Sequence, residues 1–229
     1  DFMLTDSFLS DISEDLDIIF LCNPNNPTAQ LIDSGLLLGV LDACREKGVT
    51  LVLDECFNGF LDDPDKRSMR SRLAEYSNLV ILRAFTKIYG MAGLRLGYCL
   101  SSDLELIRAL EKAGQPWAVS SLASAAGIAA LGDREYLERS LELINKEREF
   151  LTKGLERCGV KVIGSSANFI FFLSPVPDMG ALCRERGILI RDCSNHRGLE
   201  KGYYRIAVRR REENVKLLEA ISQIIKAGS

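Results

Sequence analysis

Lys87 follows an apolar run, Leu79 to Phe85, and is itself followed by Gly90, Gly93, Arg95 and Gly97. Two other polar residues stand just after apolar runs: Asn26 after Asp17 to Cys22, and Asp54 after Val49 to Leu53. A lysine at the end of a buried strand suits an amine that must attack a carbonyl, because burial disfavours its charged form. An aspartate in such a place can hold a heteroaromatic nitrogen protonated. The Asn26 amide can donate to a ring oxygen. Thr86 and Arg95 offer a hydroxyl and a guanidinium for a phosphate. Together the five would serve a ligand carrying an aldehyde, a pyridine nitrogen, a phenolic oxygen and a phosphate. Singly, they have plainer readings: Lys87 a solvated lysine, Asp54 a helix cap, Asn26 a turn former, Arg95 an arginine paired with a surface acid.

The runs that would position these residues alternate with helical patterns. Asp17 to Cys22 reads as a strand, ending in Asn23-Pro-Asn-Asn-Pro-Thr-Ala29, where two prolines among three asparagines specify a rigid turn. Either Asn–Pro bond is a candidate for cis. Ser34 is placed as the cap of a helix to about Lys47, with Gly48 as its stop. Val49 to Leu53 and Leu79 to Phe85 read as the next strands, and Gly93 to Leu100 as a fourth. The polar stretch from Asp62 to Ser71 reads as an unpacked loop. The pattern predicts helices over 101–112, 120–131 and 133–158. Thereafter it changes to short strands at 160–163, 168–173, 187–191 and 203–208, with helices at 178–186 and 212–227. The fold class expected is α/β, a mostly parallel sheet with flanking helices, followed by a small α+β domain. The boundary is set at 1–132 for the first domain and 133–229 for the second. In such sheets ligands collect beyond the carboxyl ends of the strands, where Asn26, Asp54 and Lys87 fall.

The composition excludes several classes. The chain has 229 residues, 47% apolar and 27% charged, enough for a sizeable core. Net charge is −3 with both signs interspersed, so no nucleic-acid partner is expected. No apolar stretch is long enough to span a bilayer. Seven scattered cysteines without a C-x-x-C pair read as reduced, mostly buried thiols of a cytoplasmic protein. With one histidine, His196, no metal site is expected. The chain opens at Asp1 without a methionine or a signal peptide, which reads as a trimmed or partial chain.

NPNNPT at 23–28, LVLDE at 51–55 and FTKIYGMAGLRLGY at 85–98 resemble the signature blocks of fold-type I pyridoxal-phosphate enzymes, aminotransferase class I/II. The resemblance runs over essentially the whole chain. It implies pyridoxal 5'-phosphate as cofactor, Lys87 as the Schiff-base lysine, Asp54 as the pyridinium partner and Asn26 as the donor to the ring oxygen. It implies that Thr86 and Arg95 hold the cofactor phosphate and that Arg205 clamps a substrate carboxylate; Arg191 is assigned with it to substrate. It further implies a homodimer acting on a small phosphorylated amino acid or amine. QPWAVSSLA at 115–123 and ILIRDCSNHRGLEKGYYRIAV at 188–208 are similar to a branch that decarboxylates a phosphorylated amino acid. A transaminating branch shares the Lys87 block and the arginines. Phe57 stands where that second branch usually has tyrosine, which leaves Asn26 alone on the ring oxygen. Ala29 stands where the family has glycine, and Ala84 where many members have a hydroxyl. The family's N-terminal arm, glycine-rich phosphate loop and ring-stacking aromatic are expected ahead of Asp1. Trp117 is read as packed between domains, Tyr89 and Tyr98 as core, and His196 as an exposed loop residue.

Overall fold

Asp33, rather than Ser34, starts the first long helix. Its Oδ1 accepts from the N–H groups of Gly35 (2.9 Å) and Leu36 (3.0 Å), so Ser34 becomes the first helical residue of α1 (Ser34–Lys47). Gly48 ends the helix at φ 72°. The computed structural model describes residues 2–228. They divide into two compact units: Met3–Pro24 with Leu31–Leu137, and Phe2 and Asn25–Gln30 with the chain from Glu138 onward.

In the first unit, β1 (Ile18–Cys22), β2 (Thr50–Asp54) and β3 (Leu79–Ala84) run parallel in sequence order. After β3 come a short helix (Phe85–Ile88) and a 3-10 turn (Ala92–Leu94), and then β4 (Gly97–Leu100), antiparallel to β3. One face of the sheet, Ile19, Leu51, Leu53, Leu79 and Ile81, packs on Leu37, Val40, Leu41 and Cys44 of α1. Each such buried aliphatic side chain contributes about 1.5–3 kcal/mol. On edge strand β1 the opposite face shows Ile18 and Phe20 to solvent. The stretch after β2 does not remain an unpacked loop. It forms α2 (Pro64–Arg67) and a 3-10 turn over Met69–Arg72, with Ser68 and Met69 buried. Composition hid this, because a single buried acceptor, Glu55, organises an otherwise polar segment.

Beyond β3 lie α3 (Phe85–Ile88), α4 (Leu104–Ala113), α5 (Ser121–Gly132) and α6 (Arg134–Arg157). Asp103 caps α4, displacing the expected serine start, because its carboxylate reaches Glu105 and Leu106 N–H. Ser120 caps α5 through Ala123 N–H.

In the second unit β5 (Lys161–Gly164), β6 (Phe169–Leu173), β8 (Tyr203–Ala207) and β7 (Arg191–Asp192) form an antiparallel sheet in that spatial order. Between β6 and β7 lies α7 (Met179–Glu185), and α8 (Arg211–Gly228) closes the chain. The strand expected over 187–191 shrinks to two residues: Gly187, at φ 74°, turns the chain out of α7, and Ile188 to Ile190 are irregular. The core holds Leu151, Leu155, Ile170, Phe172, Tyr204, Leu217 and Ile221. Buried Glu147 accepts from Arg211 Nε (3.0 Å) and Asn214 Nδ2 (2.9 Å), tying α6 to α8. None of the seven cysteines is joined in a disulfide among the described residues. No helix among the described residues is long and apolar enough to cross a membrane.

Candidate active site

Asp54 is the last residue of β2, and its register partners are Cys22 of β1 and Leu82 of β3. Two groups of one neighbour, Cys56, orient its half-buried carboxylate. Cys56 N–H donates to Oδ1 at 2.9 Å. The Cys56 thiol also bonds to it; burial first, and then this bond, push that thiol up to about 12. Cys56 therefore stays a neutral donor beside the carboxylate. The Asp54 carbonyl accepts from Asn23 N–H (2.9 Å), so the turn after β1 starts against the end of β2.

Lys87 lies in α3, which begins immediately after β3. Parallel pairing of β2 and β3, with Asp54 opposite Leu82, brings the Asp54 and Lys87 segments to the same end of the sheet. Lys87 is exposed, so the desolvation expected at a buried strand end is not found within this chain. The reason is local: burial ends at Phe85, and α3 carries the next residues outward. Thr86 is half-buried. Phe85 stacks on Tyr89 (5.2 Å between centroids) and meets Tyr98 edge-on (6.0 Å). Tyr89 is half-buried, but Tyr98, expected in the core, is exposed, because it stands on β4 at the edge of the sheet. Burial, with Tyr98 nearby, raises the Tyr89 phenol above its ordinary value.

Arg95 adopts left-handed backbone (φ 54°), an uncommon conformation for a residue with a side chain. Its Nη1 donates to Ala92 O at 3.1 Å, and it has no ion-pair partner among the described residues. Gly97 follows because a Cβ there would stand 3.0 Å from Arg83 O. Amine, carboxylate, hydroxyl and unpaired guanidinium are thus all carried by one sheet and the turns leaving it. That donor set fits an aldehyde-bearing heteroaromatic phosphate.

Asn26 belongs to the other unit. Both Asn23–Pro24 and Asn26–Pro27 are cis. Within the 25–30 turn, Asn25 Nδ2 donates to Thr28 Oγ1 (2.7 Å) and Ala29 N–H to Asn25 O (2.8 Å). The turn is clamped to the β5–β6 hairpin. Gln30 Nε2 donates to Ile163 O (2.7 Å), and Ser166 Oγ donates to Ala29 O. Gly164 lies so close that a Cβ would stand 2.0 Å from Thr28 O. Ala29 sits at φ 53°, in the conformation for which glycine is the ordinary choice.

This clamp holds Asn26 Oδ1 where Arg205 Nη1 donates to it. The Arg205 guanidinium also lies 5.3 Å from the Phe169 ring centroid. Its antiparallel partner is Arg191, directly opposite. Burial first, and Arg191 as a second lowering influence, pull Arg205 below the ordinary guanidinium value, against an opposing pull from Cys193. Arg191 Nη2 donates to Asn195 Oδ1 at 3.0 Å. Neither arginine is in an ion pair among the described residues. Like charges directly opposite on a sheet are unfavourable, so this face favours an anion.

Sequence reasoning missed two features. One is the Gly164–Ser166 clamp on the 25–30 turn, for which no local signal exists. The other is the bond of Arg83 Nη2 to buried Glu55 Oε2 (2.6 Å). A charge inside the apolar run 79–85 was its available signal, since a buried charge requires a partner. Trp117, read as packed, is instead 94% exposed, on left-handed backbone.

Residues 3–221 match the family model described as aminotransferase class I and II. Over 225 residues the chain is 33% identical to threonine-phosphate decarboxylase of Salmonella typhimurium, covering 97% of this chain and 61% of that protein. It is also 33% identical to histidinol-phosphate aminotransferase 1 of Cupriavidus pinatubonensis, covering 96% of this chain and 59% of that one. The crystal structure of the histidinol-phosphate aminotransferase from Clostridium acetobutylicum superposes with TM-score 0.93 at 30% identity, over 98% of this chain and 69% of that chain. The chain thus spans about 60% of the length of these curated relatives.

Proposed function

The chain belongs to the aminotransferase class I and II family, whose members are pyridoxal-phosphate enzymes, and from that premise we propose that it carries the lysine and substrate-arginine part of a decarboxylase. The reaction is loss of carbon dioxide from L-threonine O-3-phosphate to give aminopropanol phosphate, a step of cobalamin biosynthesis. The observation that carries this reading is the opposed pair Arg191 and Arg205, neither of them in an ion pair among the described residues. Two guanidiniums on one sheet face suit a substrate with two anionic groups, a carboxylate and a phosphate, better than one with a single anion.

In this reading residues 1–132 contribute to a cofactor-binding large domain and 133–229 form the small domain. Lys87, Thr86, Arg95, Asp54 and Asn26 would hold pyridoxal phosphate. When bound, the cofactor supplies an electron sink for the pair released as a bond to the substrate α-carbon breaks. Asp54, turned by the Cys56 N–H and thiol, keeps a proton on the ring nitrogen. Arg205, steadied by Asn26 and Phe169, holds a substrate anion, and Arg191 holds the other. The Lys87 amine, freed once substrate is seated, returns a proton to the carbon that loses carbon dioxide. A homodimer is the proposed assembly.

Transamination of histidinol phosphate is the second reading, favoured by a relative of equal identity. A protein of the relatives' full length containing this chain distinguishes the two. Release of carbon dioxide from L-threonine O-3-phosphate without 2-oxoglutarate supports the first. Turnover of histidinol phosphate only with 2-oxoglutarate supports the second and refutes the first.

A further inference from the structure

We infer that Glu55, Arg83 and Ser68 form a positioning network that sets Asp54 against Lys87; the inference rests on the roles proposed above for those two residues. The Glu55 side chain is fully buried and that of Arg83 is 20% exposed. Glu55 Oε2 accepts from Arg83 Nη2 (2.6 Å) and from Ser68 Oγ (2.7 Å), while Oε1 accepts from Met69 N–H (2.9 Å). The same Arg83 nitrogen also donates to Ser68 Oγ (3.0 Å), and that hydroxyl accepts from Arg70 N–H (3.0 Å). Every oxygen of the buried carboxylate is therefore engaged.

The location of this network matters more than its strength. Apolar side chains of similar volume would stabilise the interior as well as a buried ion pair, so stability alone does not account for it. Glu55 directly follows Asp54, and Arg83 stands four residues before Lys87. Side chains alternate along a strand, so Asp54 and Glu55 leave β2 on opposite faces. The network grips the ends of β2 and β3 from the face opposite Asp54. Glu55 N–H donating to Leu82 O (3.0 Å) closes the same gap through the backbone. Ser68 and Met69 add a strap, bringing the long connection between β2 and β3 back over the two ends. A lysine at 83 would place a point charge where a planar fork now fixes direction. Displacements of about 1 Å at such a distance cost on the order of 100-fold in rate.

The test measures covalent attachment of pyridoxal phosphate to Lys87, trapped with borohydride and mapped by mass spectrometry. Exposed Lys161 serves as internal standard, and the melting transition is recorded in parallel. Glu55→Gln, Arg83→Lys and the milder Ser68→Ala are compared with Ser68→Thr, which keeps the hydroxyl. The expected result is attachment at Lys87 slowed about 10- to 100-fold in the first three at temperatures where they remain folded. Labelling of Lys161 is unchanged, and Ser68→Thr behaves as the unsubstituted protein. Folded Ser68→Ala and Glu55→Gln proteins that label Lys87 at the original rate overturn the positioning role. Losses at Lys87 and Lys161 that track unfolding alike overturn it in favour of simple stabilisation. If the unsubstituted protein forms no adduct at Lys87, the cofactor reading itself falls, and the inference with it.

Discussion

Replacing Gly164 with alanine should detach the 25–30 turn from the β5–β6 hairpin. The added Cβ would meet Thr28 O at 2.0 Å, Ala29 C at 3.1 Å and Thr28 C at 3.2 Å, all backbone atoms that no rotamer can move aside. Restoring a tolerable contact requires a backbone shift of about 1 Å, and the turn is stiffened by Pro24 and Pro27. The Gln30–Ile163 and Ser166–Ala29 bonds cross this gap and would be strained or lost. At about 1 kcal/mol each, plus about 1–3 kcal/mol for overpacking, the total is about 3–5 kcal/mol. Urea unfolding followed by circular dichroism measures it, with Gly132→Ala as control, because a Cβ there meets nothing within 4 Å. The control should stay within about 0.5 kcal/mol of the original. Because Asn26 rides on the displaced turn, its contact with Arg205 should also loosen, read as faster labelling of Arg205 by a guanidinium-specific dicarbonyl. A Gly164→Ala protein as stable as the control, with Arg205 labelled no faster, would refute the clamp.

Three further outcomes follow from other sites. Lys87→Ala removes the larger part of the Schiff-base absorbance that added pyridoxal phosphate develops with this protein, leaving only that of surface lysines such as Lys161; a band of undiminished strength removes Lys87 from its proposed role. Hydrogen bonding to Arg211, foremost, holds Glu147 below the ordinary carboxylate value, so its contribution to stability is present above the unfolded pKa of about 4.3 and fades as pH falls through the lower folded value. Glu147→Ala should therefore cost about 2–4 kcal/mol at neutral pH and less in acid, measured as unfolding free energy against pH; a loss independent of pH contradicts the assignment. Arg191→Ala removes one of two opposed like charges, so stability should hold or rise by a few tenths of a kcal/mol while KM for a phosphorylated substrate rises about 10-fold or more. A destabilised protein with unchanged KM would make Arg191 structural.

Much of the framework could be read from local chemistry. Apolar runs of strand length ending in Cys22, Leu53 and Phe85, with helix starters and glycine stops between them, are signals carried by a few adjacent residues. The span of α1 and the alternation of strand and helix followed from such signals. Starts slipped by one to three residues where an aspartate competed with a serine, as at Asp33 and Asp103, because either side chain can reach the free N–H groups. The strap over Met69–Arg72 was not readable, since its order comes from Glu55, a buried residue 14 positions earlier. The exposure of Lys87 was misjudged because the burial of a strand says little about the turn that leaves it.

The inventory of reactive groups was thus set by the chain itself: an amine, a carboxylate, an amide, a hydroxyl and arginines, most of them just beyond apolar runs. Which of them meet was decided by long-range packing. Asn26 reaches Arg205 across 179 positions only because Gly164 and Ser166 hold its turn on the β5–β6 hairpin. Arg191 faces Arg205 only because two short strands pair in that register. Local sequence specifies backbone preference and periodicity. Register and close approach depend on atoms distant in the chain, and only the folded molecule brings those together.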